Sequence, residues 1–571
     1  MKRALLLVLI AASFALPGAS RRDYIDLMEE AVSAYSPERI SGYIDDVERG
    51  GIREHGFARL TANLAILVAN GRMAERKDLV KRMMDLCARE QPRAHRRNGA
   101  AAGGHLAVGT EFAMKELVFA VVELENSAVF PKAVTGVWRS AFAAVVAGRD
   151  YSCQPPVGDP VARNWTIFGA ASEQVRLWAK MGGDAAWAEK YLADQLRFFD
   201  ANGMYRDPGN PMFYDLVPRL QIATALDCGY DGPSKALLKA ALEKSARPTL
   251  AMQSVTGEVP YGGRSNQFLH NEILYAALCE WYAACAAKAG DREMAGSFRA
   301  AADRAVRHVR RWLGEKPVRH VKNRFPTASG YGCETYAHFN KYMVTMGSWA
   351  YLASRFVDES VVPLKGDEPG RVFVTGKDFH RVITSAHGYT LAFDLNGQEG
   401  YDASGLGRLH RAGAPSALAL SVPFPVKAHY RMDVTNAFAC ALGPRWRTYA
   451  LVSAKAGEII LSDGTEARWT SRLSPGGVEM AVRQKGGVFF DLPVFAFDGE
   501  TATRVRANDR RIEVAYRGWI CRYETDGRFY DTGRLLGNRN GHYRHFIAEG
   551  KSSLRVTCII FKDNASERNK K

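Results

Sequence analysis

Arg264, Asn266, Gln267, His270, Asn271 and Glu272 crowd onto one short stretch, directly after Gly257-Glu258-Val259-Pro260-Tyr261-Gly262-Gly263. The apolar spacing that follows predicts a helix from Ser265 to Ala287, so these side chains are expected on its first turns. A helix N-terminus offers unpaired backbone N–H groups and the positive end of the dipole, which suits an anionic ligand. Capping accounts for Ser265 and one acid and leaves the rest unexplained. A second stretch repeats the design: Ser329-Gly330-Tyr331-Gly332-Cys333-Glu334-Thr335-Tyr336-Ala337-His338 opens on glycine and leads into another helix. Together they offer Arg264 and Asn271 to neutralise an anion, His270 or His338 as a base, and Tyr331 or Tyr336 as a proton donor. A tyrosine beside cations could also have its pKa lowered enough to act as the base. The blander reading makes each tyrosine a packing residue and each histidine structural; their joint placement favours chemistry.

Such residues need a frame, and the chain supplies two kinds. From Arg21 to about residue 360 the apolar spacing is helical: Phe57 to Val68, Met73 to Cys87, Thr110 to Leu124, Lys132 to Val146 and Trp165 to Lys180. It continues through Ala185 to Phe199, Leu216 to Cys228, Ser234 to Lys244, Arg292 to Leu313 and His338 to Phe356. Helices in such number, without a repeated motif, are expected to close into an α/α toroid. Past Pro363 and Gly370 the period changes to two, as in Arg371-Val372-Phe373-Val374 and Arg555-Val556-Thr557-Cys558-Ile559-Ile560-Phe561. Residues 371–562 are therefore expected to form an antiparallel β-sandwich, with 563–571 a frayed tail.

Met1-Lys2-Arg3, an apolar run from Ala4 to Leu16 and small residues up to Ser20 read as a secretory signal peptide over residues 1–20, cleaved after Ser20 or Ala19. A secreted or periplasmic location follows, and no other stretch is long and apolar enough to span a membrane. The formal charge of +16 is spread along the chain without a basic block. That sign fits an acidic polysaccharide and gives no reason to expect nucleic acid. The 9 cysteines show no C-x-x-C pair and sit mostly in apolar patterns, so buried free thiols are expected. Neither an H-E-x-x-H nor an EF-hand motif is present, and no cofactor or metal is expected.

An exported helical toroid followed by a β-sandwich, with His270-Asn271 ahead of Tyr331 and Tyr336, resembles polysaccharide lyases of the heparinase II/III and alginate lyase kind. It also resembles uronic-acid glycoside hydrolases built on the same toroid. The first resemblance implies β-elimination: the uronate carboxylate is neutralised, a base removes the C5 proton, and an acid protonates the departing glycosidic oxygen. It also implies a histidine from the sandwich, for which His380, His387, His410 and His429 are the candidates, His387 or His429 preferred. The second implies a pair of carboxylates, with Glu272 and Glu334 as the pair and Glu173 as a third candidate.

Sugar-binding surface is expected at Asn164-Trp165, Tyr205 and Tyr214, the two tyrosines lying in exposed loops, and Arg264, Asn266 and Gln267 are expected to hold the substrate. Arg96, Arg97, Asn98 and His105 precede Glu111 in another glycine-rich loop of the same kind. A secreted toroid that merely captures glycans would need the aromatic platforms without the converging His, Tyr, Glu and Arg.

Overall fold

A computed structural model describes residues 18–93, 110–334, 336, 339–364, 370–397, 401–421, 448–464 and 466–563. The expected signal peptide as far as Pro17, together with Arg96, Arg97, Asn98, His105, His338, His429, Cys440 and the expected tail from 564, lies outside the described residues.

The helices are α1 (Arg21–Ser33), α2 (Pro37–Gly50), α3 (His55–Ala69), α4 (Lys77–Glu90), α5 (Thr110–Ser127), α6 (Lys132–Ala143) and α7 (Asn164–Trp178). They continue with α8 (Ala185–Gln195), α9 (Met212–Asp227), α10 (Lys235–Met252), α11 (His270–Lys288), α12 (Arg292–Leu313) and α13 (Phe339–Phe356). α3 packs on α5, α5 on α7, α7 on α9, α9 on α11, α11 on α13, and α13 returns to α3, so these helices close a ring. Each inner helix is followed by an outer one packed against it, and the last inner helix, α13, is covered by α1. This is an α/α toroid.

Burial explains the division. α3 is buried at every position from His55 to Val68, as a helix covered on all sides must be. Outer α12 buries Phe298, Ala302, Val306 and Val309 on one face and keeps Arg307 and Arg311 exposed on the other. Inner-to-outer connections are short turns, whereas outer-to-inner connections are long, as over residues 196–211, 253–269 and 314–338. Alternating direction therefore puts the N-terminal ends of the inner helices and the long loops together at one mouth. Ser20 starts the ring with a capping box on Asp23.

The strands are β1 (Arg371–Val374), β2 (Arg381–Ala386), β3 (Tyr389–Asp394), β4 (Gly405–Arg411), β5 (Ala450–Lys455), β6 (Glu458–Ser462), β7 (Arg468–Ser474) and β8 (Gly477–Arg483). They end with β9 (Val488–Phe497), β10 (Arg504–Ala507), β11 (Arg511–Tyr516), β12 (Trp519–Thr525), β13 (Arg528–Asn538), β14 (Gly541–Gly550) and β15 (Ser553–Lys562). Among the described residues they form an eight-stranded sheet, β10-β11-β12-β15-β8-β7-β6-β5, and smaller sheets β1-β2-β3-β4 and β13-β14-β9, every pair antiparallel. Trp469 of β7 meets Phe393 of β3 and Phe490 of β9, so both small sheets cover one face of the large one. The result is a β-sandwich with one apolar core. Cys521 and Cys558 lie in that core with their sulfurs 3.6 Å apart, Cys87, Cys153, Cys228, Cys279 and Cys333 are free and buried, and Cys285 is exposed. Among the described residues no helix is long and apolar enough to cross a membrane.

The sandwich clamps the mouth loops. Asp402 accepts the Gly263 N–H at 2.8 Å and pairs with Arg381 at 2.9 Å, while Arg408 donates to the Val259 carbonyl at 2.8 Å. An apolar seam of Met204, Met212, Met252, Tyr261, Phe379, Ile383 and Ala392 lies between the two units.

Candidate active site

α11 begins at His270, five residues later than the periodicity predicts. The backbone forbids an earlier start: φ is 60° at Ser265 and 66° at Gln267, and such left-handed residues cannot sit in a right-handed helix. Arg264, Asn266 and Gln267 therefore stand on a strained loop ahead of the helix, and only His270, Asn271 and Glu272 occupy its first turn. Asn266 folds the loop on itself, accepting from the Gly262 N–H at 3.0 Å and donating to the Gly263 carbonyl at 2.5 Å. The Gln267 carbonyl accepts the Lys322 N–H at 2.9 Å, tying this loop to the next one, while its side-chain Oε1 is buried without a hydrogen-bond partner.

Ser265 is the hub. Its N–H donates to Glu334 at 2.6 Å, its carbonyl accepts from Asn271 Nδ2 at 3.0 Å, and its hydroxyl lies 2.7 Å from the Tyr336 hydroxyl and 3.1 Å from that of Tyr214. The Tyr342 ring bridges the remaining gap, with centroids 5.0 Å from His270 and 6.3 Å from Tyr336. His270, Asn271, Ser265, Tyr214 and Tyr336 thus form one cluster at the mouth. Tyr336 and Tyr214 are half-buried there, as is Trp165, which meets Phe112 edge-on.

The electrostatics assign different capacities to these groups. Burial first, then the nearby charge of Arg59, pushes the His270 imidazole well below its ordinary pKa, so it is neutral, with Nδ1 unpartnered. Burial, with Tyr214 and Glu334, pushes the Tyr336 hydroxyl well above an ordinary tyrosine. This corrects the expectation that neighbouring cations lower it: Arg264 acts in that direction but is outweighed. The Tyr336 hydroxyl therefore keeps its proton.

Arg264 is held by Asp207, lies 4.4 Å over the Tyr214 ring and donates to the Pro208 carbonyl. Asn164 donates to the other Asp207 oxygen at 2.8 Å, so one buried carboxylate positions both residues. The sequence reading missed the deeper cations. Arg59, one turn into α3, pairs with Glu116 at 3.5 Å, and Lys115 reaches the same carboxylate at 2.8 Å. Burial lowers the pKa of Lys115 to about 8 and also lowers that of Lys341, the residue before the Tyr342 that stacks on His270. A polar residue in the first turns of an otherwise apolar inner helix was the signal available for all three.

Most other candidates are committed to partners of their own, Glu334 within the cluster itself, where it takes the Ser265 N–H. Glu272 is fully buried against Lys322 at 2.5 Å and the Val259 N–H at 3.3 Å. Glu334 is locked to Arg539 of the β13–β14 turn at 2.7 Å. Glu173, deep in α7, holds Arg176 at 2.7 Å, the Tyr151 hydroxyl at 2.5 Å and the Asp184 N–H at 2.8 Å. All three oppose cations or donors, as a buried carboxylate requires. Tyr205, expected in an exposed loop, is fully buried and donates to Gln195 at 2.5 Å. Tyr331 stacks on Phe325 with centroids 3.7 Å apart and meets His542 edge-on, in the seam with β14. Of the sandwich histidines, His380 is bound to Asp394 at 2.6 Å, His387 is exposed in the β2–β3 turn, and His410 is buried on Ser254 at 2.6 Å. Glu111 is spent on Ser152 and the Cys153 N–H. Among the described residues, no group of His, Cys, Asp and Glu could hold a metal ion.

No family model matches the chain, and no curated protein matches it. Solved structures do. The chain is similar to heparinase III, at 9% identity over 90% of this chain and 78% of that one, with a TM-score of 0.47. It is also similar to a heparan sulfate lyase mutant from Pedobacter heparinus, at 9% identity over 88% of this chain and 76% of that one, TM-score 0.43. A glycosyl hydrolase family 88 protein from Bacteroides vulgatus matches at 11% identity over 59% of this chain and 100% of that one, TM-score 0.37. These likenesses concern the course of the backbone and assign no residue a role.

Proposed function

We propose that the toroid mouth is the active site of a carbohydrate-active enzyme that cleaves a uronic-acid-containing glycan by β-elimination. The observation that carries this reading is the Tyr336–Ser265–Asn271 chain beside a neutral His270, with cations behind it and each carboxylate of the competing hydrolytic scheme paired with a buried cation. In the reaction, the His270 lone pair accepts the C5 proton and the C5 electrons form the C4–C5 double bond as the C4–O bond breaks. The Tyr336 hydroxyl protonates the departing oxygen. Asn271 and the cations Arg264 and Arg59 stabilise the charge that gathers on the carboxylate.

Trp165 and Tyr214 at the rim suit the C–H faces of sugar rings. Export completes the proposal: cleavage after Ala19 would keep Ser20 as the cap of α1, whereas cleavage after Ser20 would remove it. N-terminal sequencing of the exported protein tests that part. The reaction is tested by incubating the enzyme with glucuronate-, galacturonate-, mannuronate- and iduronate-bearing glycans. Elimination leaves a conjugated double bond that absorbs in the near ultraviolet. New reducing ends without absorbance would mean hydrolysis, and binding without either product would make this a glycan-capture protein.

A further inference from the structure

Outside the Ser265 cluster, where the end of α12 and the loops 253–269 and 314–338 meet the sandwich, lies a cavity of about 230 Å³. Trp312 from α12 and Trp519 from β12 line it, both half-buried. The Arg324 guanidinium already covers one face of Trp312 at 4.7 Å, which leaves Trp519 as the freer platform. An open tryptophan face in a cavity of this size suits one ring with an apolar C–H face.

The buried lining asks for donors. Asn540 gives its Nδ2 hydrogen to the Lys322 carbonyl at 3.2 Å, and its Oδ1 is buried without a hydrogen-bond partner. His308 faces the Thr256 carbonyl through Nδ1 at 3.2 Å, which fixes the proton on that nitrogen and makes Nε2 an acceptor. That Nε2 is also without a hydrogen bond and stands 3.7 Å from a Glu258 oxygen, so two acceptors face each other with nothing to donate between them. Both Asn540 and His308 are at least nine-tenths buried. Unpaired buried acceptors are costly, and ligand hydroxyls would satisfy them. Arg311, Lys322, Arg324 and Arg517 also line the cavity opposite Glu258, Glu315 and Asp498, and the mutual pairing of these charges suits a neutral ligand.

We infer that this cavity is a second carbohydrate subsite, distinct from the Ser265 cluster, which takes a single neutral pyranose ring stacked on Trp519 with hydroxyls donated to Asn540 and His308. It stands independently of the reaction assigned to the mouth.

The test titrates the full chain with methyl β-glucopyranoside, methyl β-glucuronide and tetramethylammonium, followed by ligand-observed NMR and tryptophan fluorescence. Saturable binding of the neutral glucoside at millimolar concentration is expected. Trp519→Ala should weaken it by about tenfold or more, the scale of losing a stacking face, and Trp519→Phe should retain most of it. Tyr336→Phe should leave it unchanged. Glucoside binding that survives Trp519→Ala, is lost with Tyr336→Phe, gives way to tetramethylammonium, or is absent altogether overturns the inference. If Trp519→Ala proves unfolded by its denaturation curve, Asn540→Leu takes its place with the same expectation.

Discussion

Glu272 separates a structural reading from a catalytic one, because the hydrolytic alternative requires it and the geometry makes it a buried counter-ion. Its carboxylate lies 2.5 Å from Lys322, which is itself 3.8 Å from Glu258, and Arg408 stands 3.6 Å from Glu258. Burial pushes the Glu258 carboxyl up, but Lys322 and the surrounding bases outweigh it and hold it well below the usual carboxylate range. Two anions and two cations are thus balanced in a buried site. Glu272→Gln removes one charge and leaves Lys322 to lean on Glu258 alone. Breaking a buried pair costs about 3–5 kcal/mol, and the surviving Glu258 places this case near the lower end.

Denaturant unfolding followed by tryptophan fluorescence should show that loss. Glu272→Gln combined with Lys322→Met should recover most of it, since a buried pair replaced by apolar groups is close to neutral. Turnover by the folded fraction of Glu272→Gln should stay within about threefold of wild type, far from the 10² of a lost acid or base. A variant that unfolds like wild type yet has no turnover would refute the argument and restore Glu272 to the chemistry.

Three further outcomes follow. Tyr336→Phe removes only the proton donor at the mouth and should lower kcat/KM by about 10²-fold while leaving the denaturation midpoint in place. Lys115 titrates at about 8 in the folded chain against 10.5 for an ordinary lysine, so the unfolded chain binds that proton more tightly. Its contribution to stability is therefore full above the ordinary lysine range and lost as pH falls through about 8; the stability gap between wild type and Lys115→Met should move in favour of wild type from pH 8 upward. Gln267→Gly relieves the left-handed strain at φ 66° and removes an unpartnered buried amide oxygen, and should raise stability by about 1 kcal/mol in the same unfolding assay.

The toroid and the sandwich were legible because periodicity reports burial. Inner helices such as α3 and α11 are apolar on nearly every face, and the switch to alternation past Pro363 marks where two-sided strands begin. The start of α11 was not legible: apolar spacing continues back through Phe268 and Leu269, while the left-handed turns at Ser265 and Gln267 are imposed by the clamp of Asp402 on Gly263, which lies far away in sequence. The two stretches singled out do meet, through Ser265, Asn271 and Tyr336. Glu272 and Glu334 read as chemistry because acids at helix starts look alike whether they face a cleft or a buried cation. Lys322 and Arg539, which decide the matter, come from other loops. Tyr331 and Tyr336 could not be separated by sequence, since only the packing of Phe325 and His542 draws Tyr331 to the seam.

The central claim is the reaction at the mouth, and the most direct measurement is near-ultraviolet absorbance during digestion of uronate-bearing glycans by wild type and Tyr336→Phe side by side. Rising absorbance with wild type, reduced about 10²-fold in the variant, is the predicted result. Reducing ends released without absorbance, or absorbance that Tyr336→Phe leaves untouched, would contradict it.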